Sequence, residues 1–305
     1  MKIVFMGTPN FAVPILRALN EKFEVKLVVT QKDKLQGRKQ VLTKSPVKIC
    51  AEELNLPVFQ PEKIKDEMDY ILNIDADVLV TAAYGQFVPS KLLNKFKKCI
   101  NVHGSLLPLR RGGAPIQRSI IEGDTKTGVT IMEMVKKMDA GRMYAKEELP
   151  ILDTDTQDTI FEKLSLIGRD LLLDNILDIV NEKNLGIVQD ESLATISPNI
   201  RPEEEEFNFN DTSRNIFNKI RGLSHEPGAY FIINNTRVKV YSSKILENSS
   251  SSIPGTILET KKHLIIKTLD SSIEILSLKV EGKKEIDAKS FLNGQKLFIK
   301  GEIIS

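Results

Sequence analysis

The chain has 305 residues, of which 41% are hydrophobic and 28% charged, a composition typical of a soluble globular protein long enough for two domains. No run of about 18 apolar residues is present and the N-terminal segment is too short for a signal peptide, so we expect a cytoplasmic protein without membrane partners. The net charge of +2 is unevenly distributed: residues 1–207 carry 28 basic and 31 acidic side chains, and residues 208–305 carry 15 and 10.

Strand and helix patterns alternate through the first part of the chain. Predicted strands lie at Lys2–Met6, Val25–Val29, Val78–Ala82, Ile100–His103 and Val129–Met134. Helical patterns begin at Phe11, Ser45 and Ser90, and a long helix is predicted from Thr156 to about Asn184. This alternation predicts an α/β fold, with a Rossmann-like, mainly parallel sheet and helices on both faces.

The pattern changes in the C-terminal part of the chain. Residues 189–207 are rich in Pro and Glu and are predicted to be a linker between a domain at 1–188 and a domain at 208–305. After one short helix around Ile216–Ile220, short strands are predicted near 229–233, 237–242, 254–259, 264–269 and 272–279. Strands of this length and spacing predict a small β-barrel, similar to an oligonucleotide-binding fold.

Several common catalytic motifs are absent from the sequence. The first predicted strand is followed by Gly7-Thr-Pro-Asn10, which has one glycine where a dinucleotide-binding loop has three. There is neither a phosphate-binding P-loop nor a Gly-x-Ser-x-Gly nucleophile motif. The two cysteines, Cys50 and Cys99, are predicted to be buried thiols, and because no Cys/His cluster accompanies them no metal site is expected.

The strongest candidate site is the run Asn101-Val-His103-Gly-Ser-Leu-Leu-Pro108, followed at a distance by Asp139. A side-chain period of two places Asn101 and His103 on the same face of a strand, next to a turn. A lone histidine is more often structural, and an aspartate before small residues often only forms a turn. Together, however, the three side chains suit acyl transfer: Asn101 and a protonated His103 can donate to an oxyanion, while the Asp139 carboxylate favours the imidazolium or orders a water.

The run Cys99-Ile-Asn-Val-His-Gly-Ser-Leu-Leu-Pro108 resembles the signature of the folate-dependent formyltransferase family. Further matching motifs occur in the family's order along almost the whole chain: Phe5-Met-Gly-Thr-Pro-Asn-Phe-Ala12, Ser45-Pro-Val-Lys48, Ala83-Tyr-Gly85, Gly112-Gly-Ala-Pro-Ile-Gln117, Gly128-Val-Thr-Ile-Met132 and Pro254-Gly-Thr-Ile-Leu258. The order and spacing of these motifs are more specific than any one of them.

The resemblance implies a reaction and a set of site residues. The formyl group of 10-formyltetrahydrofolate would pass directly to the α-amino group of methionine on initiator tRNA, releasing tetrahydrofolate, with no metal and with the chain acting as a monomer. The family's catalytic residues map onto Asn101, His103 and Asp139. Its folate-binding stretch maps onto Ser105, Leu106, Leu107 and Pro108, where apolar side chains suit a flat ring. Residues 1–188 would be the catalytic domain, and 208–305 would help to hold tRNA.

A basic loop at residues 30–48 provides candidate tRNA contacts. Alone, such a loop is more often a solvated surface, but its length and low apolar content also suit a functional, structureless loop. In the family the corresponding loop enters the tRNA acceptor region, which makes Arg38 the matching arginine and Lys39 and Lys44 its basic neighbours. Lys261 and Lys262, in a predicted turn of the barrel, are further candidates for phosphate contacts.

Alternative functions remain open at this point. A related formyltransferase could act on a small amine, such as glycinamide ribonucleotide or an amino sugar, and a hydrolase could release formate from the same folate. A small substrate requires neither the basic loop nor the basic C-terminal domain. An RNA-binding protein on an inactive enzyme scaffold is disfavoured because Asn101, His103 and Asp139 are all present.

Overall fold

The computed structural model describes residues 1–36, 40–247, 250–294 and 296–304. The chain divides into a first unit, made of residues 1–115, 126–150 and 161–198, and a second unit, made of residues 116–125, 151–160 and 199–305. The predicted linker is therefore shared, with residues 189–198 in the first unit and 199–207 in the second.

Among its described residues the first unit contains nine strands, five whole α-helices, two short 3-10 helices and parts of two further α-helices that it shares with the second unit. The strands are β1 (Lys2–Gly7), β2 (Glu24–Val29), β3 (Lys34–Gln36), β4 (Val41–Thr43), β5 (Val58–Phe59), β6 (Val78–Ala82), β7 (Lys98–His103), β8 (Lys126–Glu133) and β9 (Met143–Pro150). The helices are α1 (Val13–Lys22), α2 (Pro46–Glu53), α3 (Ile64–Glu67), α4 (Asp69–Leu72), α5 (Ser90–Leu93), α6 (Pro115–Ile121) and α7 (Gln157–Val180).

Seven of these strands form one sheet in the order β5-β2-β1-β6-β7-β8-β9. The first five are parallel, whereas β8 runs antiparallel to both β7 and β9. Four consecutive residues of β1, from Ile3 to Met6, are fully buried, as expected for a strand covered by helices on both faces. The predicted α/β class with a mainly parallel sheet is confirmed. From β1 the chain adds strands on one side as far as β5 and then, from β6, on the other side, so the topological switch point lies between β1 and β6.

Local sequence signals explain where two of these helices lie. The predicted start of α2 is confirmed, because the Ser45 Oγ accepts a hydrogen bond from the Lys48 amide at 3.1 Å. The helix α7 packs closely on β7 at Gly168, where an added Cβ would lie 2.7 Å from Val102 Cγ1. Val102 therefore faces α7, and its neighbours Asn101 and His103 face the opposite side of the sheet.

The basic loop is not structureless, so that prediction was wrong in part. Within it, β3 and β4 form an antiparallel hairpin in which Leu35 pairs with Leu42. Val41, Leu42 and Thr43 are residues that favour extended backbone, which outweighs the polar composition of the segment. The hairpin leaves Leu35 and Leu42 59% and 63% exposed.

The second unit is built on an antiparallel sheet that curls into a half-barrel, and the predicted fold class of this region is confirmed. Its elements are α8 (Ser213–Leu223), β10 (Tyr230–Ile233), β11 (Thr236–Leu246), β12 (Ile257–Glu259), β13 (Leu264–Lys267), β14 (Ser272–Val280), β15 (Ile286–Asp287) and α9 (Ala288–Gly294). The strand order is β10-β11-β14-β13-β12, with β15 also paired to β14. Phe207, Phe209 and Phe231 pack edge to face in its core.

The helices in the described part of the chain include none long and apolar enough to cross a membrane. Cys50 and Cys99 are free and buried, which confirms their prediction as structural thiols. Burial raises the pKa of the Cys99 thiol to about 12, so this group stays protonated at neutral pH and is a poor nucleophile.

Candidate functional site

The candidate residues lie at the carboxyl end of β7, an inner strand of the sheet. Here β7 is bordered by parallel β6, which pairs Thr81 with Asn101, and by antiparallel β8, which pairs Thr130 with His103. Ligands of open α/β sheets bind at this edge, because the loops after the strands can present side chains there without disturbing the core. The structure thus places Asn101 and His103 together on one face of a rigid strand.

The Asn101 carboxamide is oriented by its neighbour on β6. The Thr81 hydroxyl donates to Asn101 Oδ1 at 2.7 Å. Because the carboxamide oxygen faces Thr81, its NH₂ group points away, and no acceptor for Nδ2 is found among the described residues. Asn101 therefore presents a pair of N–H donors that can bind a developing oxyanion.

The His103 ring is buried and lies between two oxygen acceptors. Its Nε2 donates to the Arg110 carbonyl oxygen at 3.2 Å, which requires the hydrogen to be on Nε2. Its Nδ1 faces Asp139 Oδ2 at 3.8 Å, too far for a direct hydrogen bond. The nitrogen that faces the carboxylate is thus the one available to a reacting group.

Asp139 lies in the loop between β8 and β9 with a φ of 50°. Its Oδ2 accepts a hydrogen bond from the Gly112 amide at 2.9 Å, and its side chain is 16% exposed. The carboxylate is therefore held on the His103 side of the loop while solvent still reaches it. The structure brings all three predicted catalytic side chains to one edge of the sheet.

The predicted folate-binding turn, residues 105–108, is held in place by hydrogen bonds to Thr130 of β8. The Thr130 hydroxyl, fully buried, donates to the Ser105 carbonyl at 2.7 Å and accepts from the Leu107 amide at 3.1 Å. Leu106 packs on Gly128, where an added Cβ would lie 2.4 Å from Leu106 Cδ2. Ser105 and Leu107 are buried, whereas Leu106 and Pro108 are half-buried and present an apolar edge.

Replacing Thr130 with valine removes both hydrogen bonds that this hydroxyl makes with the turn while preserving the side-chain shape. Leaving the buried amide and carbonyl unpaired costs about 1–3 kcal/mol each, which we expect to loosen the turn. We predict that Thr130→Val raises the KM for the folate that this turn is expected to bind about tenfold, with a smaller change in KM for the expected acceptor. The matched control is Thr127→Val, at a buried position of the same strand, and steady-state kinetics measure both. An unchanged folate KM in Thr130→Val would refute this role.

The predicted tRNA contacts are only partly described by the structure. Arg38 and Lys39 lie outside the described residues. Lys44 is exposed beside β4 and pairs with Glu52 at 2.7 Å, which raises the pKa of the lysine. Lys261 and Lys262 are exposed in the turn between β12 and β13.

Sequence reasoning missed two buried polar residues near Asp139. Gln189, which had been assigned to the linker, donates to the carbonyl oxygens of Asp139 and Gly141, and it accepts from Arg111. No local signal marks these residues, because their partners are about 50 and 78 positions away in the sequence. Only the fold brings them together.

The described residues of the site provide the N–H donors of Asn101, an imidazole and a carboxylate. No group of three or more His, Cys, Asp or Glu side chains suited to a metal ion is found within the described ranges. Hydrogen-bond donors aimed at one point, with an acid–base pair beside them, can stabilise direct attack of an amine on a carbonyl carbon.

Comparison with known proteins gives matches along almost the whole chain. Residues 1–176 match the formyl transferase family, and residues 199–296 match the formyl transferase C-terminal domain family. A methionyl-tRNA formyltransferase of Lactobacillus johnsonii is 47% identical over 298 residues, which cover 96% of this chain and 95% of the relative. A methionyl-tRNA formyltransferase of Streptococcus pneumoniae serotype 19F is 45% identical with the same coverage.

Two solved structures share the fold at low sequence identity. An N-formyltransferase from Helicobacter canadensis, solved with folinic acid and dTDP-3-aminofucose, matches with a TM-score of 0.70 and 21% identity over 90% of this chain and 98% of its own. HypX from Aquifex aeolicus, solved with tetrahydrofolic acid, matches with a TM-score of 0.65 and 16% identity over 96% of this chain. The chain spans about half the length of HypX, since it covers 47% of it.

Proposed function

Because the chain belongs to the formyl transferase family, we propose that it transfers the formyl group of 10-formyltetrahydrofolate to the α-amino group of methionine carried by initiator tRNA. The observation that carries this proposal is the identity of 45–47%, over nearly the full length, to enzymes named methionyl-tRNA formyltransferase. Such an enzyme works where charged initiator tRNA is found, in the cytoplasm, and we take the chain to act as a monomer.

The proposed reaction is a direct acyl transfer. The amine nitrogen of methionine bonds to the formyl carbon, and the bond from that carbon to N10 of the folate breaks. The attacking nitrogen loses a proton and the leaving nitrogen gains one, so atoms and charge balance. Asn101 Nδ2 and a protonated His103 Nδ1 donate to the formyl oxygen as it becomes negative. Asp139 orders the water that moves the proton.

The folate is proposed to bind over the turn at residues 105–108. The exposed edges of Leu106 and Pro108 suit a flat ring, and the turn itself is held by Thr130, so its backbone groups are pre-positioned for hydrogen bonds. Catalysis is proposed to need no metal, because the formyl carbon is already activated by the folate nitrogen and the oxyanion donors come from side chains.

The small-amine and hydrolase alternatives are less favoured. The relatives that act on amino sugars share the fold at about one-fifth identity, whereas the named tRNA-dependent relatives share nearly half of their residues over the whole chain. A direct comparison of acceptors tests this: charged initiator tRNA, glycinamide ribonucleotide, a dTDP-amino sugar and water are each offered with the labelled folate. We expect product with charged tRNA alone, and formate release or a labelled small amine as the main product would support an alternative.

Arg38, in the basic loop at residues 30–48 of the sequence, is proposed to contact tRNA. A guanidinium can pair with a phosphate or stack on an unpaired base, so we predict that Arg38→Ala raises the KM for charged tRNA about tenfold or more. Folate affinity is expected to stay within about twofold of the wild type, because the loop is not part of the 105–108 turn. The matched control is Arg169→Ala, which removes a half-buried helix arginine paired with its own neighbour Asp170. An equal loss of folate affinity in Arg38→Ala would contradict the assignment.

A further inference from the structure

A buried carboxamide ties down the loop that carries Asp139. Gln189 is only 4% exposed, although it lies in an irregular segment after α7 that forms neither an α-helix nor a strand. Its Nε2 donates to the carbonyl oxygen of Asp139 at 2.8 Å and to that of Gly141 at 2.7 Å. Both hydrogens of this one amide are therefore used on the backbone of a single loop.

Arg111 determines which way the Gln189 carboxamide faces. Its Nε and Nη2 donate to Gln189 Oε1 at 3.0 and 2.8 Å, and a guanidinium has donors only, so the amide oxygen must face Arg111 and the NH₂ group must face the loop. Glu191 holds the outer side of the same guanidinium at 2.9 and 3.1 Å. Hydrogen bonds from Arg111 and then from Lys137 lower the pKa of Glu191 to about 2, so this carboxylate is charged at neutral pH.

The backbone of the Asp139 loop is held at two points. With a φ of 50°, Asp139 occupies the left-handed region, which Asp tolerates better than most residues with a side chain. The Gly112 amide holds the carboxylate and Gln189 holds the carbonyl of the same residue. Together these bonds define where the carboxylate stands relative to His103.

The same segment also reaches the other partner of His103. The Thr195 hydroxyl accepts from the Arg110 amide at 2.9 Å, and the Arg110 carbonyl accepts from His103 Nε2. The Arg111 amide donates to the Thr195 carbonyl at 2.9 Å. Residues 189–195 thus anchor both the loop of Asp139 and the backbone that orients the His103 ring.

We propose that Gln189, oriented by Arg111, is a positioning residue that sets the distance between the Asp139 carboxylate and His103. It touches no reacting atom and acts through Asp139. This inference rests on the proposed function for its effect on rate, but the geometry it describes has a readout independent of activity.

Two substitutions of Gln189 separate its donors from its pairing with Arg111. Gln189→Glu keeps an oxygen for Arg111 but places a second carboxylate oxygen against the carbonyls of Asp139 and Gly141. Gln189→Met keeps the length and removes all polar atoms. Since a misplacement of about 1 Å can cost about 10²-fold in rate, we expect each variant to lower kcat at least about tenfold, with both KM values within about twofold.

The matched control acts on the opposite side of the same arginine. Glu191→Gln removes the charge that pairs with Arg111 and leaves the hydrogen bonds of Gln189 in place. We expect its kcat to stay within about twofold of the wild type, because the amide oxygen that replaces the carboxylate still accepts a hydrogen bond from Arg111 and the Glu191 side chain is 55% exposed. The Gln189→Glu variant keeps the pairing with Arg111. It therefore tests the inference even where the Gln189→Met variant fails to fold.

The Gly112 amide provides the readout that does not depend on turnover. Its hydrogen bond to Asp139 Oδ2 weakens when the loop moves, so Gln189→Glu should accelerate hydrogen exchange at Gly112 while exchange in the β1 core stays unchanged. In the Asp139→Ala background, Gln189→Met should cause little further loss in single-turnover rate, because the group it positions is gone.

The outcomes of these measurements are distinct. A folded Gln189→Glu variant with wild-type kcat and wild-type exchange at Gly112 would overturn the inference, and so would a rate loss of equal size in the Asp139→Ala background. Accelerated exchange at Gly112 in the Gln189→Glu variant, together with a wild-type protein that formylates no tRNA, would uphold the positioning role and refute the proposed function instead.

Discussion

We expect His103→Ala and Asp139→Ala each to lower kcat by about 10²- to 10⁴-fold, the range that positioned acid–base groups contribute. His103 Nδ1 and Asp139 Oδ2 lie 3.8 Å apart, so each side chain loses this polar neighbour when the other is removed. If the pair acts as a unit, the double variant should be little slower than the slower single variant. Single-turnover formyl transfer with both substrates saturating measures the three rates.

Two controls accompany this prediction. The variants must remain folded, which thermal unfolding checks, because His103 is buried and its removal leaves a small cavity. His263→Ala removes an exposed histidine that pairs with Glu274 in the second unit, and it should retain the wild-type rate. Near-normal turnover in a folded His103→Ala or Asp139→Ala variant would remove the basis for the proposed mechanism.

Asn101→Ala is expected to give the second large loss, about 10²- to 10³-fold in kcat, as for the loss of one oxyanion donor. The Thr81 hydroxyl already occupies the amide oxygen, so the NH₂ group is the part that the reaction uses. Asn101→Asp has nearly the same shape but replaces the donors with a negative charge at the point where the oxyanion forms. It should therefore be slower than the alanine variant, with the KM for the folate nearly unchanged.

The control for this comparison is Asn175→Ala on α7, where the side chain only bonds to the Leu171 carbonyl one turn earlier. Its kcat should match that of the wild type. If Asn101→Asp proved as active as the native enzyme, Asn101 would not be an oxyanion donor and its role would be limited to its bond with Thr81.

The inner strands of the sheet were predictable because burial on both faces leaves a continuous apolar run, as in β1 and β6. The same argument singled out Asn101 and His103, because burying a polar side chain is unfavourable unless it has a hydrogen-bond partner or a function. The antiparallel direction of β8 and β9 was not predictable, because a strand's own residues do not encode the direction in which its neighbour runs.

Long-range polar partners account for most of what the sequence could not reveal. Gln189 read as part of a linker because the segment that follows it contains Pro198, Pro202 and an acidic run, and its bonds go to residues far away in the chain. The hairpin at β3 and β4 was hidden by the charges around it, although Leu35 and Leu42 pair across it. Buried polar networks of this kind become apparent only once the fold has brought their members together.

The most direct test of the proposed activity is formyl transfer from labelled 10-formyltetrahydrofolate to charged tRNA. Methionyl-initiator tRNA and methionyl-elongator tRNA are compared at equal concentration, with the Asp139→Ala variant as the blank. We predict label on the α-amino group of the initiator's methionine, much less on the elongator's, and almost none with the variant. No label on the initiator tRNA, with a folded wild-type protein and intact folate, would contradict the proposal.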